Sequence, residues 1–148
     1  MTTAQTVTVL LVDDEDDVRT PLAALVRAEG LRVFEVGSAC DALAILSREH
    51  VDVLFTDVVM PDQDGIELAE QARHLQPHIQ LLFATGYLLR AVTADKLGRL
   101  LFKPVRSKDV LDAITELMAG SRAPVDEPSS NAPASGDAYR GIDAADLE

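Results

Sequence analysis

The apolar run from Val51 to Asp57, V-D-V-L-F-T-D, constrains the fold of this 148-residue chain more than any other stretch. Large and β-branched residues dominate it, and it is too short for a typical helix, so we expect a buried strand. Met60-Pro61 and the turn residues up to Gly65 then end the strand just after Asp57. Ligands bind at the carboxyl ends of the strands in open parallel sheets. Asp57 is therefore the first candidate for chemistry, although an isolated D-x-x-x-P also fits an aspartate that only solvates a turn.

Short apolar runs alternate with helical patterns along the rest of the chain. Further strands are predicted at residues 7–12, 32–36, 79–84 and 100–102. Helices are predicted after each of the first three strands, the third of them at about residues 66–75, and a final helix at 107–120 follows the fifth strand. Helical spacing predicts core positions in the first helix at Val18, Leu22, Leu25 and Val26, and in the second at Ala39, Leu43 and Leu46. Repeated strand-helix units of this length predict an α/β fold with a parallel sheet covered on both faces.

Composition sets the limits of the domain and of its partners. The chain is 47% hydrophobic, enough for one domain with a real core, which we place at residues 7–120 after a short extension, residues 1–6. Residues 121–148 are acidic and rich in Pro, Ala and Ser, which predicts a disordered tail. A net charge of −12 disfavours direct binding to nucleic acid or to an anionic membrane. Because no signal peptide and no apolar run of membrane-spanning length is present, we expect a cytoplasmic protein.

The strand ends bring together residues that suit phosphoryl chemistry. If the central strands adjoin, Asp13, Asp14, Asp57, Thr85 and Lys103 surround one crevice. Like-charge pairs of carboxylates at roughly 4 Å repel by about 4 kcal/mol at an effective dielectric near 20, so a hard divalent ion, above all Mg²⁺, is expected among them. A lysine and a hydroxyl fit a phosphoryl group, and an aspartate can attack phosphorus to give an aspartyl phosphate. These groups together supply most of what phosphoryl transfer requires of a protein.

Four ordered motifs carry a family resemblance: D-D at Asp13-Asp14, T-D-V-V-M-P-D-x-D-G around Asp57, F-A-T-G-Y around Thr85, and K-P at Lys103. Over residues 7–120 the chain resembles the receiver domain of two-component response regulators. The resemblance implies a flavodoxin-like (βα)5 doubly wound sheet of order 2-1-3-4-5.

The resemblance also implies a role for each residue of the site. Asp57 would be the phosphoacceptor, Asp14 a direct Mg²⁺ ligand and Asp13 a ligand through water, and the backbone carbonyl of Val59 would complete the protein ligands. Thr85 and Lys103 would bind the incoming phosphoryl group. The implied donor is a histidine kinase or a histidine phosphotransfer protein.

Two departures from the family pattern concern the segment between Thr85 and Lys103. Receivers commonly place Tyr or Phe three positions before the lysine, where this chain has Leu100, although Phe102 shares its strand face. The segment is also shorter than in typical receivers, and glycines interrupt its helical pattern, so we expect a fourth helix that is short, distorted or absent. F-A-T-G-Y together with this short segment resembles receivers of hybrid histidine kinases and some stand-alone receivers.

We expect a non-enzymatic, single-domain response regulator that passes its signal to an unidentified protein target or along a phosphorelay. One alternative is a haloacid-dehalogenase-type Mg²⁺-dependent phosphatase, because Asp14-x-Asp16-x-Val18 fits its D-x-D-x-[TV] signature. That hypothesis leaves Asp57 unexplained. It also needs a further acidic pair at a strand end after Lys103, and the chain supplies none before the predicted tail. Another alternative is an unphosphorylated receiver-like binding module, which the presence of the complete residue set disfavours.

Overall fold

A computed structural model of the chain describes residues 6–86 and 94–120. The elements in chain order are β1 (Thr8–Val12), α1 (Asp16–Ala28), β2 (Arg32–Val36), α2 (Ala39–Leu46), β3 (Val53–Asp57), α3 (Gly65–Leu75), β4 (Gln80–Thr85), the helical residues 94–97 as α4, β5 (Arg99–Phe102) and α5 (Ser107–Gly120). The predicted tail at 121–148 and most of the predicted extension at 1–6 lie outside the described residues. Within the described ranges, no helix combines the length and apolar character needed to cross a membrane.

The five strands form one parallel sheet of order β2-β1-β3-β4-β5, which confirms the predicted flavodoxin-like order. Every residue of β1 and β3 is buried, so these strands need cover on both faces. On one face Leu10, Leu54 and Phe83 pack with buried residues of α2 and α3. On the other face Leu11 and Leu82 pack with buried residues of α1 and α5. The helices therefore cover both faces of the sheet.

Helix α1 corrects two of the predicted core positions. Ala23 and Val26 are fully buried, whereas Val18 and Leu25 are 47% and 49% exposed. Val18 and Leu25 are seven residues apart, so they share one angular position, to the side of the stripe that faces the sheet. A single helix on a sheet buries only that narrow stripe. In α2 the predicted Ala39 and Leu46 are buried, and Leu43 is partly buried against the same core.

The turn from β3 into α3 closes tightly against the strand. The Gly65 N–H donates to the Val58 carbonyl at 2.7 Å, and the Asp64 carboxylate caps α3 by accepting from the Ile66 N–H at 2.7 Å. A Cβ on Gly65 would overlap the Asp57 carbonyl oxygen and lie 3.0 Å from the Asp57 carbonyl carbon. Only glycine permits this approach. The tight turn fixes the backbone that carries Asp57.

The segment before β5 agrees with the predicted short fourth helix. Residues 94–97 are helical, and Ala94 is buried against the α2–α3 side of the core. Residues 87–93, which include the tyrosine of the F-A-T-G-Y motif, lie outside the described residues. In β5, Leu100 is partly buried against that core, whereas Phe102 is 49% exposed. The side chain at the usual aromatic position is thus a leucine that contacts the core.

Candidate functional site

The carboxyl edge of the sheet brings the predicted site residues together. Val12 pairs with Thr56 in the sheet register, so Asp13 follows at the level of Asp57. Asp57 pairs with Ala84, and Thr85 pairs with Phe102, which directly precedes Lys103. Because all the strands are parallel and in register, these side chains reach the same edge.

Three carboxylates form the acidic part of the site. One carboxylate oxygen from each of Asp13, Asp14 and Asp57 lies within 4.8 Å of the other two. Asp57 is nearly buried with 9% exposure, whereas Asp14 is exposed. At 4.8 Å and an effective dielectric near 20, each pair repels by about 3.5 kcal/mol, less where water screens Asp14. An all-oxygen set with this excess of negative charge fits a hard divalent cation such as Mg²⁺.

Lys103 supplies positive charge to the same site. Its Nζ lies 2.8 Å from Asp57 Oδ2 and 3.9 Å from Asp13 Oδ2. Burial opposes the charge of the ammonium, but the hydrogen bond to Asp57 and the charges of Asp57 and Asp13 outweigh it, so the Lys103 pKa is raised. The Lys103 N–H donates to the Thr85 carbonyl at 3.0 Å, which ties the lysine to the end of β4. Lys103 is therefore a fixed cation beside Asp57.

The environment of Asp13 disfavours its charge. Burial raises the Asp13 pKa, the Glu15 N–H and Lys103 oppose the rise, and the negative charges of Asp57 and Asp14 add to it. The Asp13 N–H donates to the Val36 carbonyl at 3.2 Å, and its Oδ1 accepts from the Glu15 N–H at 2.9 Å. The carboxylate is held in place even though its charge is unfavourable there. A bound cation would relieve that cost.

The loop after β3 and the end of β4 complete the site. The Val59 N–H donates to Asp57 Oδ1 at 3.4 Å, so the backbone of this loop turns back over the carboxylate. The Val59 side chain is 44% exposed at the rim. Thr85 is fully buried at the end of β4. Lys103 and Val59 thus approach different oxygens of Asp57.

Three neighbours of the site were not singled out in the sequence as more than turn or helix residues. Arg19 donates from Nη1 to the Asp13 carbonyl at 2.8 Å. Asp62 accepts from the Ala39 and Cys40 N–H groups at 3.4 and 3.2 Å, which ties the loop after β3 to the N-terminus of α2. Gly65 provides the close approach described above. The i,i+3 spacing of Asp16 and Arg19 was the only local signal that could have drawn attention to Arg19.

An apolar groove borders the charged site. Its volume is about 630 Å³, and it runs along α1 and the segment after β5. Its lining includes Val18, Leu22, Leu25, Pro104 and Val105, and it reaches Asp13 and Lys103. One wall of this groove is formed by Val18 and Leu25, which lie on α1 and are not part of the core. An apolar surface therefore adjoins the charged site.

Comparison with known proteins agrees with this geometry. Residues 9–115 match the family model described as the response regulator receiver domain. The response regulator receiver protein CpdR of Brucella abortus (strain 2308) is 31% identical over 114 residues, which cover 74% of this chain and 95% of CpdR. The sensor kinase CckA of the same organism is 35% identical over 117 residues, 75% of this chain but 12% of CckA. A crystal structure of a CheY-like response regulator receiver domain protein from Methanospirillum hungatei JF-1 has a TM-score of 0.74 and 28% identity, covering 80% of this chain and 98% of that one.

Proposed function

Because this chain belongs to the family of response regulator receiver domains, we propose that it accepts a phosphoryl group on Asp57 in a Mg²⁺-dependent reaction. The observation that carries the proposal is the environment of one carboxylate. Asp57 is nearly buried, lies 2.8 Å from the Lys103 ammonium, and shares a 4.8 Å cluster with two further aspartates. A nucleophile, a fixed cation and an oxygen-ligand set are the parts that phosphoryl transfer to a carboxylate needs.

Receiver domains bind Mg²⁺ at an acidic pocket, and the oxygen cluster here fits that ion. We assign its binding to the carboxylates of Asp14 and Asp57, to Asp13 through water, and to the backbone carbonyl of Val59. When bound, the ion would neutralise charge on the transferring phosphoryl oxygens. It would also relieve the repulsion among the three aspartates.

The remaining groups act on the phosphoryl group directly. An Asp57 carboxylate oxygen attacks phosphorus and forms the new O–P bond, while the bond to the donor breaks and its electron pair leaves with the donor group. Lys103 transfers its hydrogen bond from Asp57 to a phosphoryl oxygen. The Thr85 hydroxyl donates to another. The added charge and acceptor oxygens then shift the preferred conformation of the loops around the site, and protein contacts transmit the change.

We assign phosphodonor docking to the apolar groove beside the site. A protein donor must bring its phosphohistidine to Asp57 past the rim formed by α1, where Val18 and Leu25 are exposed. Similarity to a segment of a sensor kinase supports a histidine kinase or a phosphotransfer protein as the donor. Apolar contacts at the rim would hold that donor while the charged site performs the chemistry.

The first experiment measures the intact mass of the chain after incubation with Mg²⁺ and acetyl phosphate, beside Asp57→Asn. We expect one added phosphoryl group that is lost in the variant and absent with a chelator. Labelling that persists in Asp57→Asn and disappears in Asp14→Asn would favour the phosphatase alternative, which family membership does not support. Failure of small donors and of candidate kinases alike would favour an unphosphorylated binding module.

A second experiment separates donor docking from chemistry. Leu25→Ser should slow phosphorylation by a protein donor and leave the rate with acetyl phosphate unchanged. Leu75→Ser is the matched control, because Leu75 lies on α3, across the sheet, with 48% exposure against 49% for Leu25. Equal effects of the two variants on the protein donor would contradict the assignment of the groove.

A further inference from the structure

Arg19 is a largely buried cation that joins three segments around the acidic site. Its side chain is 14% exposed. Nη1 donates to the Asp13 carbonyl at 2.8 Å, Nε to Glu35 Oε1 at 3.1 Å, and Nη2 lies 2.7 Å from Asp16 Oδ1. The guanidinium thus links the loop after β1, the first turn of α1 and strand β2.

The orientation of the Arg19 guanidinium is fixed by its three acceptors and by the packing of Gly37 against it. Its planar fork directs three nitrogens to three acceptors, which a flexible ammonium cannot do at once. Gly37 lies against the same group, and a Cβ there would stand 3.0 Å from Nη1. The backbone of Asp13 is held from the other side as well, because its N–H donates to the Val36 carbonyl. Arg19 therefore holds the backbone carbonyl of Asp13, and β2 holds its backbone N–H.

From this arrangement we propose that Arg19 is a positioning residue, which sets the backbone of Asp13-Asp14 so that their carboxylates converge with Asp57 on a divalent cation. The inference rests on the proposed Mg²⁺-dependent function. It assigns to Arg19 no contact with the ion or with the phosphoryl group. Its effect passes through the Asp13 carbonyl.

Whether replacing Arg19 weakens or strengthens cation binding distinguishes a positioning role from a purely electrostatic one. Arg19 carries a positive charge near an acidic cluster, so removing that charge should by itself strengthen cation binding. If Arg19 positions the ligands, its removal should weaken binding instead, because the carboxylates lose their common geometry. Loss of an outer partner of a metal ligand typically costs 10–100-fold in affinity. Positioning therefore predicts a change opposite to the Coulombic one.

Arg27 provides a matched control on the same helix. Its Nη1 pairs with the other Glu35 oxygen at 3.2 Å, as Arg19 pairs with Oε1 at 3.1 Å. Its Nη2 donates to the Val33 carbonyl, within β2, rather than to the loop that carries Asp13. Arg27→Met therefore removes one positive charge and one Glu35 pair while leaving the Asp13 carbonyl bonded.

The test titrates Mg²⁺ into the full chain and follows backbone amide chemical shifts, for the wild type, Arg19→Met, Arg19→Lys and Arg27→Met. We expect Arg19→Met to raise the Mg²⁺ dissociation constant about tenfold or more. Arg19→Lys should be intermediate, since lysine keeps the charge but has a single donor nitrogen, which cannot reach all three acceptors of Arg19. Arg27→Met should leave the dissociation constant unchanged or slightly lower. Urea unfolding in chelator, run in parallel, identifies variants that have lost their fold.

An Arg19→Met chain that folds and binds Mg²⁺ as tightly as Arg27→Met would overturn the inference. If Arg19→Met does not fold, Gly37→Ala replaces it, because the added methyl displaces the guanidinium without removing it, and it should also weaken Mg²⁺ binding. Unchanged binding in Gly37→Ala would then count against the role of Arg19. A wild-type chain that binds no Mg²⁺ would remove the proposed function and this inference together, so the two failures are distinguishable.

Discussion

Replacing Lys103 with methionine should destabilise the metal-free domain by an amount set by burial. Lys103 Nζ lies 2.8 Å from Asp57 and 3.9 Å from Asp13. At an effective dielectric near 20 the Coulomb attractions at these distances are about 6 and about 4 kcal/mol, and desolvation of the ammonium offsets much of both. Breaking a buried pair costs about 3–5 kcal/mol and an exposed one less than about 1. Because the Lys103 side chain is 29% exposed, we expect a loss of about 2–4 kcal/mol in the free energy of unfolding.

Lys108→Met is the control for this measurement. Lys108 lies 2.9 Å from Asp112, nearly the same length as the Lys103 pair, but the two side chains are 76% and 57% exposed. If the N···O distance alone decided the effect, the two variants would lose similar amounts of unfolding free energy. Because the Lys108 pair is exposed, we expect a much smaller loss for Lys108→Met.

Urea unfolding of both variants in chelator and again in saturating Mg²⁺ provides the assay. Mg²⁺ should restore much of the stability of Lys103→Met, because a bound cation replaces the missing charge among the aspartates. Equal losses for the two lysines would refute the reasoning. So would a loss in Lys103→Met that Mg²⁺ leaves untouched.

Three further predictions concern the stability of the metal-free domain, measured by urea unfolding. Asp13→Asn should stabilise it at neutral pH, because burial raises the folded-state pKa of Asp13 above 3.8 and the charged carboxyl is therefore unfavourable in the folded state. A raised folded-state pKa makes stability fall as pH rises from 3.8 through that pKa. The gain from Asp13→Asn should therefore vanish at lower pH, and a gain independent of pH would contradict the mechanism. Gly65→Ala should lower the free energy of unfolding by about 1–3 kcal/mol, because its Cβ would overlap the Asp57 backbone. Gly86→Ala is the control and should be close to neutral, because its Cβ would lie 4.0 Å from its nearest neighbour. Similar losses of stability in the two variants would refute the explanation by overlap. Gln76→Ala should cost about 2 kcal/mol, because its amide bonds the Val51 N–H and two carbonyls of the α2–β3 connection; an unchanged unfolding midpoint would show that water replaces these bonds.

The order of strands and helices could be predicted from local patterns, because the residues that decide it are neighbours in the chain. Apolar runs bounded by turn residues predicted β2 at Arg32–Val36 without error, and placed Asp57 at the end of β3. Asp13, Thr85 and Lys103 were placed at strand ends for the same reason, since each follows or ends an apolar run, and the structure has them there. The strand order came from the family resemblance, and the structure confirms it.

Whether a helix residue is buried in the core depends on the surface that the helix packs against. The local sequence pattern of the helix does not contain that information. Val18 and Leu25 fit the helical period yet remain half exposed, because the sheet below α1 accepts only the stripe around Ala23 and Val26. Periodicity fixes the angle of a residue around the helix but does not tell how wide the contact is. The groove beside the site exists because that contact is narrow.

The sequence by itself determined which chemical groups this protein has and, through strand ends, that they would meet at one edge. Only the tertiary structure decided how they meet. The 2.8 Å contact between Lys103 and Asp57 joins residues 46 positions apart. The Arg19 Nη1 that bonds the Asp13 carbonyl lies where a Cβ on Gly37 would stand only 3.0 Å away. Such contacts depend on distances of a few tenths of an ångström between segments remote in the chain, because charge pairing, desolvation and steric overlap all change steeply over that range.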